Sequence, residues 1–473
     1  MTTTRQATHR EGTAVDKHAI VLGAGIAGLL AARVLAGHYQ HVTVLERDTL
    51  AGPAPRRGVP QARHLHGLMA GGRLILEELF PGITDDAVSH GAPTTEVLSG
   101  SRWYLSGLRA APTSTGLTTL LASRPLLESV IRDRLTAMPN VSVRQGTVAD
   151  GLFGDGRPGV IAGVRLRSET PGPDRLPADL VVDATGRASR ASEWLAGAGL
   201  PVPATERVDI NLGYSSRTYQ YRPDHLGGDL GVVVSTMPGS RGGGAINVEG
   251  NRWHVTLGGM LGDHPPTDHA GFEAFAATLP VPDIHQLIVD AEPLEDPVPH
   301  RFSGSVRRHF ERLAAHPDQF LVLGDSLCSF NPVYAQGMTL AAQQALALGA
   351  CLSEGLGGVP GRFYARATPL IDVAWQMSTN ADFAYPGVVG RRTLRTRLTN
   401  AYVRRCHRAA HADPAVARTF MRVANLVDPA TALFHPATLA RVLRHGSPAG
   451  SRRQAVPPVA RPAAPTSAAG GQR

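Results

Sequence analysis

The sequence predicts an α/β protein in which a discontinuous Rossmann domain is interrupted by a sheet-rich insert and followed by a C-terminal helical region. Three observations carry this reading. The apolar run Ala19-Ile20-Val21-Leu22 precedes glycines, then Ile26, Leu29, Leu30, Val34 and Leu35 at helical spacing, then Val42-Thr43-Val44-Leu45, which together read as a βαβ unit. Alternating stretches dominate residues 205–300, in Val208 to Leu212, Gly231 to Ser235 and Trp253 to Leu257. The chain then returns to a buried strand, Phe320 to Leu323, with a long helical pattern after Gly337.

The intervening elements follow in order. A helix is expected from about Pro125 to Met138, then the strand-like Val141-Ser142-Val143, a glycine-rich turn, Val160 to Leu166, and the buried strand Leu180-Val181-Val182. These place the Rossmann domain at 18–204 and 301–355, the insert at 205–300 and the helical region at 356–446. Residues 1–17 are polar and 447–473 are rich in Pro, Ala, Gly and Ser, so both are expected to be disordered tails without chemistry.

Composition narrows the function classes. With 473 residues, 42% of them hydrophobic, the chain can bury a substantial core across two or three domains. No run approaches the ~18–20 apolar residues of a membrane helix, and the N-terminus lacks a secretory apolar stretch, so a cytoplasmic protein without a membrane span is expected. Cys328, Cys351 and Cys406 form no CxxC pair, which argues against a disulfide framework, a zinc site or a redox dithiol. The net charge of +8 is almost wholly arginine, since Lys17 is the sole lysine, a bias that GC-rich codons produce without selection. No basic stretch is interleaved with aromatics, so nucleic-acid binding is not expected. Arg391, Arg392, Arg395, Arg397, Arg404, Arg405 and Arg408 read as a solvated face, with docking of an acidic carrier protein as the functional alternative.

Two motifs carry cofactor chemistry. Gly23-Ala24-Gly25-Ile26-Ala27-Gly28 lies between strand and helix, where glycines permit a tight turn and close approach of a pyrophosphate, and the helix N-terminus attracts its charge. Glu46, ending the next strand, suits the hydrogen bonds of a ribose. Gly324-Asp325 follows the strand Phe320 to Leu323, with Pro332, Gly337 and Met338 downstream. An aspartate there suits a ribitol hydroxyl, and the helix opening at Gly337 presents N–H groups to an electron-rich flavin edge. The two halves together select FAD over NAD as the tightly held cofactor, in a glutathione-reductase-like arrangement.

The third motif is Asp183-Ala184-Thr185-Gly186-Arg187-Ala188-Ser189-Arg190, and Arg124 stands in Ser123-Arg124-Pro125-Leu126-Leu127. In this order the motifs resemble, over roughly residues 18–350, the group A FAD-dependent monooxygenases of the aromatic-hydroxylase superfamily. Within it, residues 57–66 (RGVPQARHLH) and 324–332 (GDSLCSFNP) look most like the flavin epoxidases of polyether polyketide biosynthesis. By that resemblance Gly23, Gly25 and Gly28 hold the pyrophosphate, Glu46 the adenosine ribose with Arg47 beside it, and Arg124 the ribose or phosphate region. Val148 contacts the adenine through its backbone, Asp325 binds the ribitol and pyrophosphate side, and Pro332, Gly337 and Met338 lie at the isoalloxazine.

The resemblance implies transfer of one oxygen atom from dioxygen through a flavin C4a-hydroperoxide, most simply to an olefin of a polyketide or terpenoid intermediate in secondary metabolism. The substrate is then a small molecule, free or carrier-bound. Hydroxylation of an aromatic polyketide, an isoprenoid-type flavin reductase and a non-catalytic FAD-binding scaffold stay open. Halogenases of the tryptophan type use an active-site lysine and a WxWxIP motif, neither of which this chain offers. Group A hydroxylases usually carry Asp-Gly where Thr185-Gly186 stands, so electrons are expected from NAD(P)H either directly or through a separate flavin reductase. The chemistry needs no side-chain nucleophile, and no catalytic or metal residue is assigned; His64 and His66 read as structural partners in a loop near the flavin. Leu212, Val232, Val234, Val255 and Leu257 are expected to line the roof of the substrate cavity.

Overall fold

The computed structural model describes residues 17–157, 159–168 and 174–447, so the expected tails lie outside the described residues except for Lys17 and Ser447. The apolar runs of the first motif pair as expected. Strands Phe320–Val322, Leu180–Asp183, His18–Leu22, His41–Leu45 and Val141–Arg144 form, in that spatial order, a five-stranded parallel sheet. Leu22 stands opposite both Asp183 and Leu45, so the segments that begin at Gly23, Ala184, Glu46 and Leu323 leave the sheet at one edge, its C-terminal edge, where open α/β sheets bind ligands.

Helix Ile26–Leu35 crosses this sheet closely because Gly28 has no side chain: a Cβ there would lie 1.9 Å from the carbonyl oxygen of Gly23. Gly23 itself has φ +96°, a left-handed conformation that glycine adopts without steric cost. Helix Arg124–Thr136 begins where Ser123 accepts the Leu126 N–H at 3.3 Å and Pro125 occupies the first turn. A small antiparallel sheet of Thr147–Phe153, Gly163–Ser168 and Arg175–Pro177 adjoins.

The insert builds an eight-stranded sheet in the order Cys328–Ser329, Val298–Arg308, Thr205–Gln220, Arg252–Gly259, Arg241–Val248, Gly231–Val234, Arg102–Leu105, Leu108–Arg109. Its edge strands come from outside residues 205–300. Arg102–Leu105 pairs in parallel with Gly231–Val234, a pairing that Arg-Trp-Tyr-Leu does not announce because it lacks apolar alternation.

The roof needs a correction. Val232, Val255 and Leu257 face helices His269–Ala277 and Asp283–Asp290, in a cluster with Trp253, Phe272, Phe275, Ile284 and Leu287. Leu212 is buried in the main core, and of the five expected positions only Val234 lines the cavity. Strand alternation sent those side chains to the helix-covered face; the cavity face carries Thr256, Gly258 and the run Gly242-Gly243-Gly244 instead. Helices Gly337–Ser353, Val359–Asp382, Leu394–Ala412, Pro414–Ala424 and Pro436–His445 complete the molecule. Among the described residues no helix is long and apolar enough to cross a membrane, and Cys328, Cys351 and Cys406 are buried free thiols.

Gly28→Ala should therefore force helix and sheet apart, costing about 3 kcal/mol or more. In thermal unfolding of the flavin-free protein it lowers Tm by roughly 3 °C or more, whereas Gly197→Ala, whose Cβ meets nothing within 4 Å, leaves Tm unchanged.

Candidate functional site

One cavity of about 1440 Å³ runs from the C-terminal edge of the parallel sheet, beneath the eight-stranded sheet, to the C-terminal helices. Gly23, Gly25, Glu46, Arg47, Arg124, Val148, Asp325, Pro332, Gly337 and Met338 all line it. Gly28 does not; its role is the helix–strand contact described above. A site for one drug-sized ligand takes roughly 300–1,000 Å³, so this volume holds a dinucleotide and a second molecule.

At one end the first helix opens onto the cavity with no side-chain cap and no acid in its first turn, leaving its leading N–H groups for an anion. Glu46 is already engaged. Its Oε2 accepts from Ala24 N at 2.8 Å and from Arg56 Nη1 at 2.5 Å, and its Oε1 from Asp48 N at 3.0 Å. A carboxylate offers about four acceptor positions, so one remains for a ribose hydroxyl. Arg56 also pairs with Glu128 at 2.9 Å, and Glu128 with Arg124 at 2.9 Å, with both glutamates almost wholly buried. Arg47 donates to Gly58 O at 3.3 Å.

Arg124 continues the run by donating to His66 Nε2 at 3.4 Å, while His66 Nδ1 is 2.8 Å from His64 O. A carbonyl can only accept, so Nδ1 carries the proton and His66 is neutral; burial, then Arg124, holds its pKa well below the ordinary range. His64 pairs with Ser216 Oγ at 2.8 Å, and burial together with His300, His254 and Arg63 pushes it down to about 3. Its ring stands edge-on to Tyr214 at 4.7 Å. Both histidines are thus hydrogen-bonding partners, as expected of them.

In the middle, Asp183 is a fastener and not a ligand group. It is fully buried and accepts Thr185 N at 2.8 Å, Thr185 Oγ1 at 2.6 Å and Ser189 Oγ at 2.6 Å. Asp325 differs. Its side chain is half-buried and lines the cavity, and among the described residues no donor hydrogen-bonds to it. Burial raises its pKa against the pull of Arg124 and Arg187. An acceptor on a cavity wall with no protein donor is free for a ligand to engage, and a ribitol hydroxyl supplies such a donor. Helix Gly337–Ser353 begins at the same place, again with no cap side chain and no acid in its first turn. The residues present fit FAD.

At the far end Asn331 and Tyr334 line the cavity, and both donate to Asp382 Oδ1, at 2.7 and 2.9 Å. Asp382 ends helix Val359–Asp382, is fully buried, and has no partner at Oδ2. Burial raises its pKa to about 6 against these two bonds. The helical region also supplies Met377, Tyr385, Tyr402 and Phe420 to the wall. The basic face is corrected in part: Arg392 donates to the carbonyls of Phe383, Tyr385 and Val388, Arg405 and Arg408 donate to those of Leu443 and Gly446, and Arg395 and Arg404 line the cavity.

Sequence reasoning missed Arg56, Glu128, Tyr334 and Asp382. Glu128 stands four residues after Arg124, a helical ion-pair spacing that could have shown it. Asp382 carries no local signal.

A family described as FAD binding domain matches residues 16–363. Protein Rv3254 of Mycobacterium tuberculosis (strain ATCC 25618 / H37Rv) is 34% identical over 438 residues, covering 89% of this chain and 92% of that protein. The 6-methylpretetramide 4-monooxygenase of Streptomyces rimosus is 27% identical over 359 residues, 71% of this chain and 75% of that one. Among solved structures, a flavoprotein/dehydrogenase from Cytophaga hutchinsonii superposes with a TM-score of 0.66 at 16% identity, covering 91% of this chain and 99% of that one.

The raised pKa of Asp382 fixes a sign. The folded state binds this proton more tightly than the unfolded chain, whose value is near the ordinary 3.8, so the ionised group costs stability above pH 6 and the cost vanishes as pH falls toward 4. Asp382→Asn should raise stability at pH 8 by roughly 2–3 kcal/mol, with the gain lost by pH 4 in thermal unfolding of both proteins across that range.

Proposed function

We infer the function from a premise that the matched residues establish: the chain belongs to the FAD binding domain family. It is an FAD-dependent monooxygenase. The observation that carries the reading further is the single cavity, whose dinucleotide end and apolar end meet at Asp325 and Gly337.

We propose that Gly23, Gly25 and the first helix N-terminus hold the FAD pyrophosphate, Glu46 the ribose, and Arg47, Arg124 and the backbone of Val148 the rest of the adenosine half. Asp325 takes the ribitol, and Pro332, Gly337 and Met338 border the ring system. When bound, the reduced flavin supplies the activation of dioxygen and the electrophilic oxygen atom. The chain's own contribution is to orient and exclude. Leu65, Trp103, Val233, Val234 and Ile246 offer an apolar wall to a carbon skeleton, worth about 25 cal/mol per Å² of apolar surface removed from water. The bare backbone of Gly242, Gly243 and Gly244 leaves room above it.

The finer proposal is epoxidation of an isolated carbon–carbon double bond on a polyketide or terpenoid skeleton. Two runs support it, residues 57–66 and 324–332, whose resemblance is to polyether epoxidases and which both contribute to the cavity wall. A second reading, hydroxylation of an aromatic ring, is favoured by Tyr334 and Asp382, because a polar pair beside an apolar chamber suits a phenol. Electrons reach the flavin from NAD(P)H, directly or through a reductase; Thr185 already gives its hydroxyl proton to Asp183 and has none left to offer a nicotinamide donor.

Turnover under ¹⁸O-labelled dioxygen with a polyene and, separately, with a naphthol decides between them. Epoxidation predicts one labelled atom in an epoxide, at a rate without inflection at the ionisation of a phenol; an inert polyene beside a labelled, ring-hydroxylated naphthol would reverse the assignment.

A further inference from the structure

Tyr334 lies in the turn between Pro332 and the helix that opens at Gly337, and it lines the cavity on the apolar side of that helix opening. The turn is held in an unusual shape. Ala335, which is not a glycine, has φ +52°, a left-handed conformation that costs energy and persists only where its surroundings impose it. Next to it, Tyr334 donates to Asp382 Oδ1 at 2.9 Å, and Asn331 donates to the same oxygen at 2.7 Å.

The direction of that bond decides what Tyr334 can offer. An ionised carboxylate accepts only, so the single hydroxyl proton of Tyr334 is committed to Asp382. Tyr334 lines the chamber, so toward a molecule there its phenolic oxygen offers lone pairs and no proton. Their acceptor strength is increased because the proton already leans toward a buried anion. Among the described residues no ion pair reaches Asp382: the titratable groups facing it are Tyr334, from the turn, and Tyr385, just beyond its own helix, while Arg392 donates to the carbonyls of Phe383 and Tyr385 and not to this carboxylate. Burying an anion without a cation is expensive.

We propose that Tyr334 is a hydrogen-bond acceptor for a hydroxyl group on the substrate, that Asp382 is the positioning residue which keeps it an acceptor, and that the enzyme therefore takes substrates bearing an alcohol, enol or phenol close to the reacting carbon. This rests on the chamber being the substrate site; a phenol meets the requirement directly, and an olefin meets it where it carries a hydroxyl. Asp382 does not line the cavity, so it acts through Tyr334; below about pH 6 its protonated carboxyl no longer holds the Tyr334 proton as firmly, and the preference for a donor falls.

The test is a binding comparison on the oxidised holoenzyme, without turnover, read from the change in the flavin absorbance spectrum. The probes are 1-naphthol and 1-methoxynaphthalene, which differ by the loss of one donor. The wild type binds the naphthol more tightly by about tenfold or more, the range of a hydrogen bond to a charge-assisted acceptor. Tyr334→Phe abolishes that preference and keeps its affinity for the methoxy compound. Asp382→Asn, which retains an acceptor for Tyr334, lowers the preference and removes its fall below pH 6, a readout that mere support of the fold would not move. Equal affinity for the two probes in the wild type, absence of binding by both, or a full preference retained in Tyr334→Phe would overturn the proposal. The oxygen-labelling experiment is independent: tight, selective binding without labelled product leaves this acceptor standing and removes the monooxygenase assignment of the chamber.

Discussion

Glu46 ends its strand with a carboxylate out of water, and the arrangement of the whole cavity follows from how that charge is answered. Arg56 answers it, Glu128 answers Arg56, Arg124 answers Glu128, and His66 accepts from Arg124. From His66 the run passes through His64 to Ser216 and Thr256 in the large sheet. Buried charges are tolerable only when each is paired and hydrogen-bonded, so the members cannot move singly. The two sheets are thereby locked to one another across the place where a dinucleotide would end and a substrate begin.

That lock explains why the site can be large without being loose. The polar run lies along one wall, and the remaining walls are helix ends, bare strand backbone and apolar side chains. Histidines that are neutral through burial suit such a wall, because a charged imidazole beside Arg124 would break the run. At the opposite end the chain keeps a carboxylate whose burial works against stability and a backbone turn whose shape does the same. Costs of this kind persist where they serve a site.

Much of this was legible in the sequence because it depends on neighbours along the chain. The βαβ unit, the fingerprint glycines and the order of motifs are local patterns, and they gave the parallel sheet, its ligand edge and the residues that line the cavity. What failed depended on contacts between distant segments. The roof residues Val232, Val255 and Leu257 alternate as a half-buried strand should, but alternation does not say which face a helix will cover, and here helices took the apolar face. Arg102–Leu105 joined the insert's sheet from a hundred residues upstream. Asp382 meets Asn331 and Tyr334 across about fifty residues, and nothing in its own surroundings distinguishes it from a surface carboxylate at a helix end.

We propose that one molecule of FAD occupies this cavity with both of its halves held. Equilibrium titration of the flavin-stripped protein with FAD and with FMN tests it most directly, because FMN lacks the adenosine half that the Gly23 and Glu46 end would bind. The account predicts one FAD per chain and an FMN affinity lower by about a hundredfold or more, the loss of two or more hydrogen bonds to charged or dipolar groups. FMN binding as tightly as FAD, or FAD failing to bind at all, would contradict it.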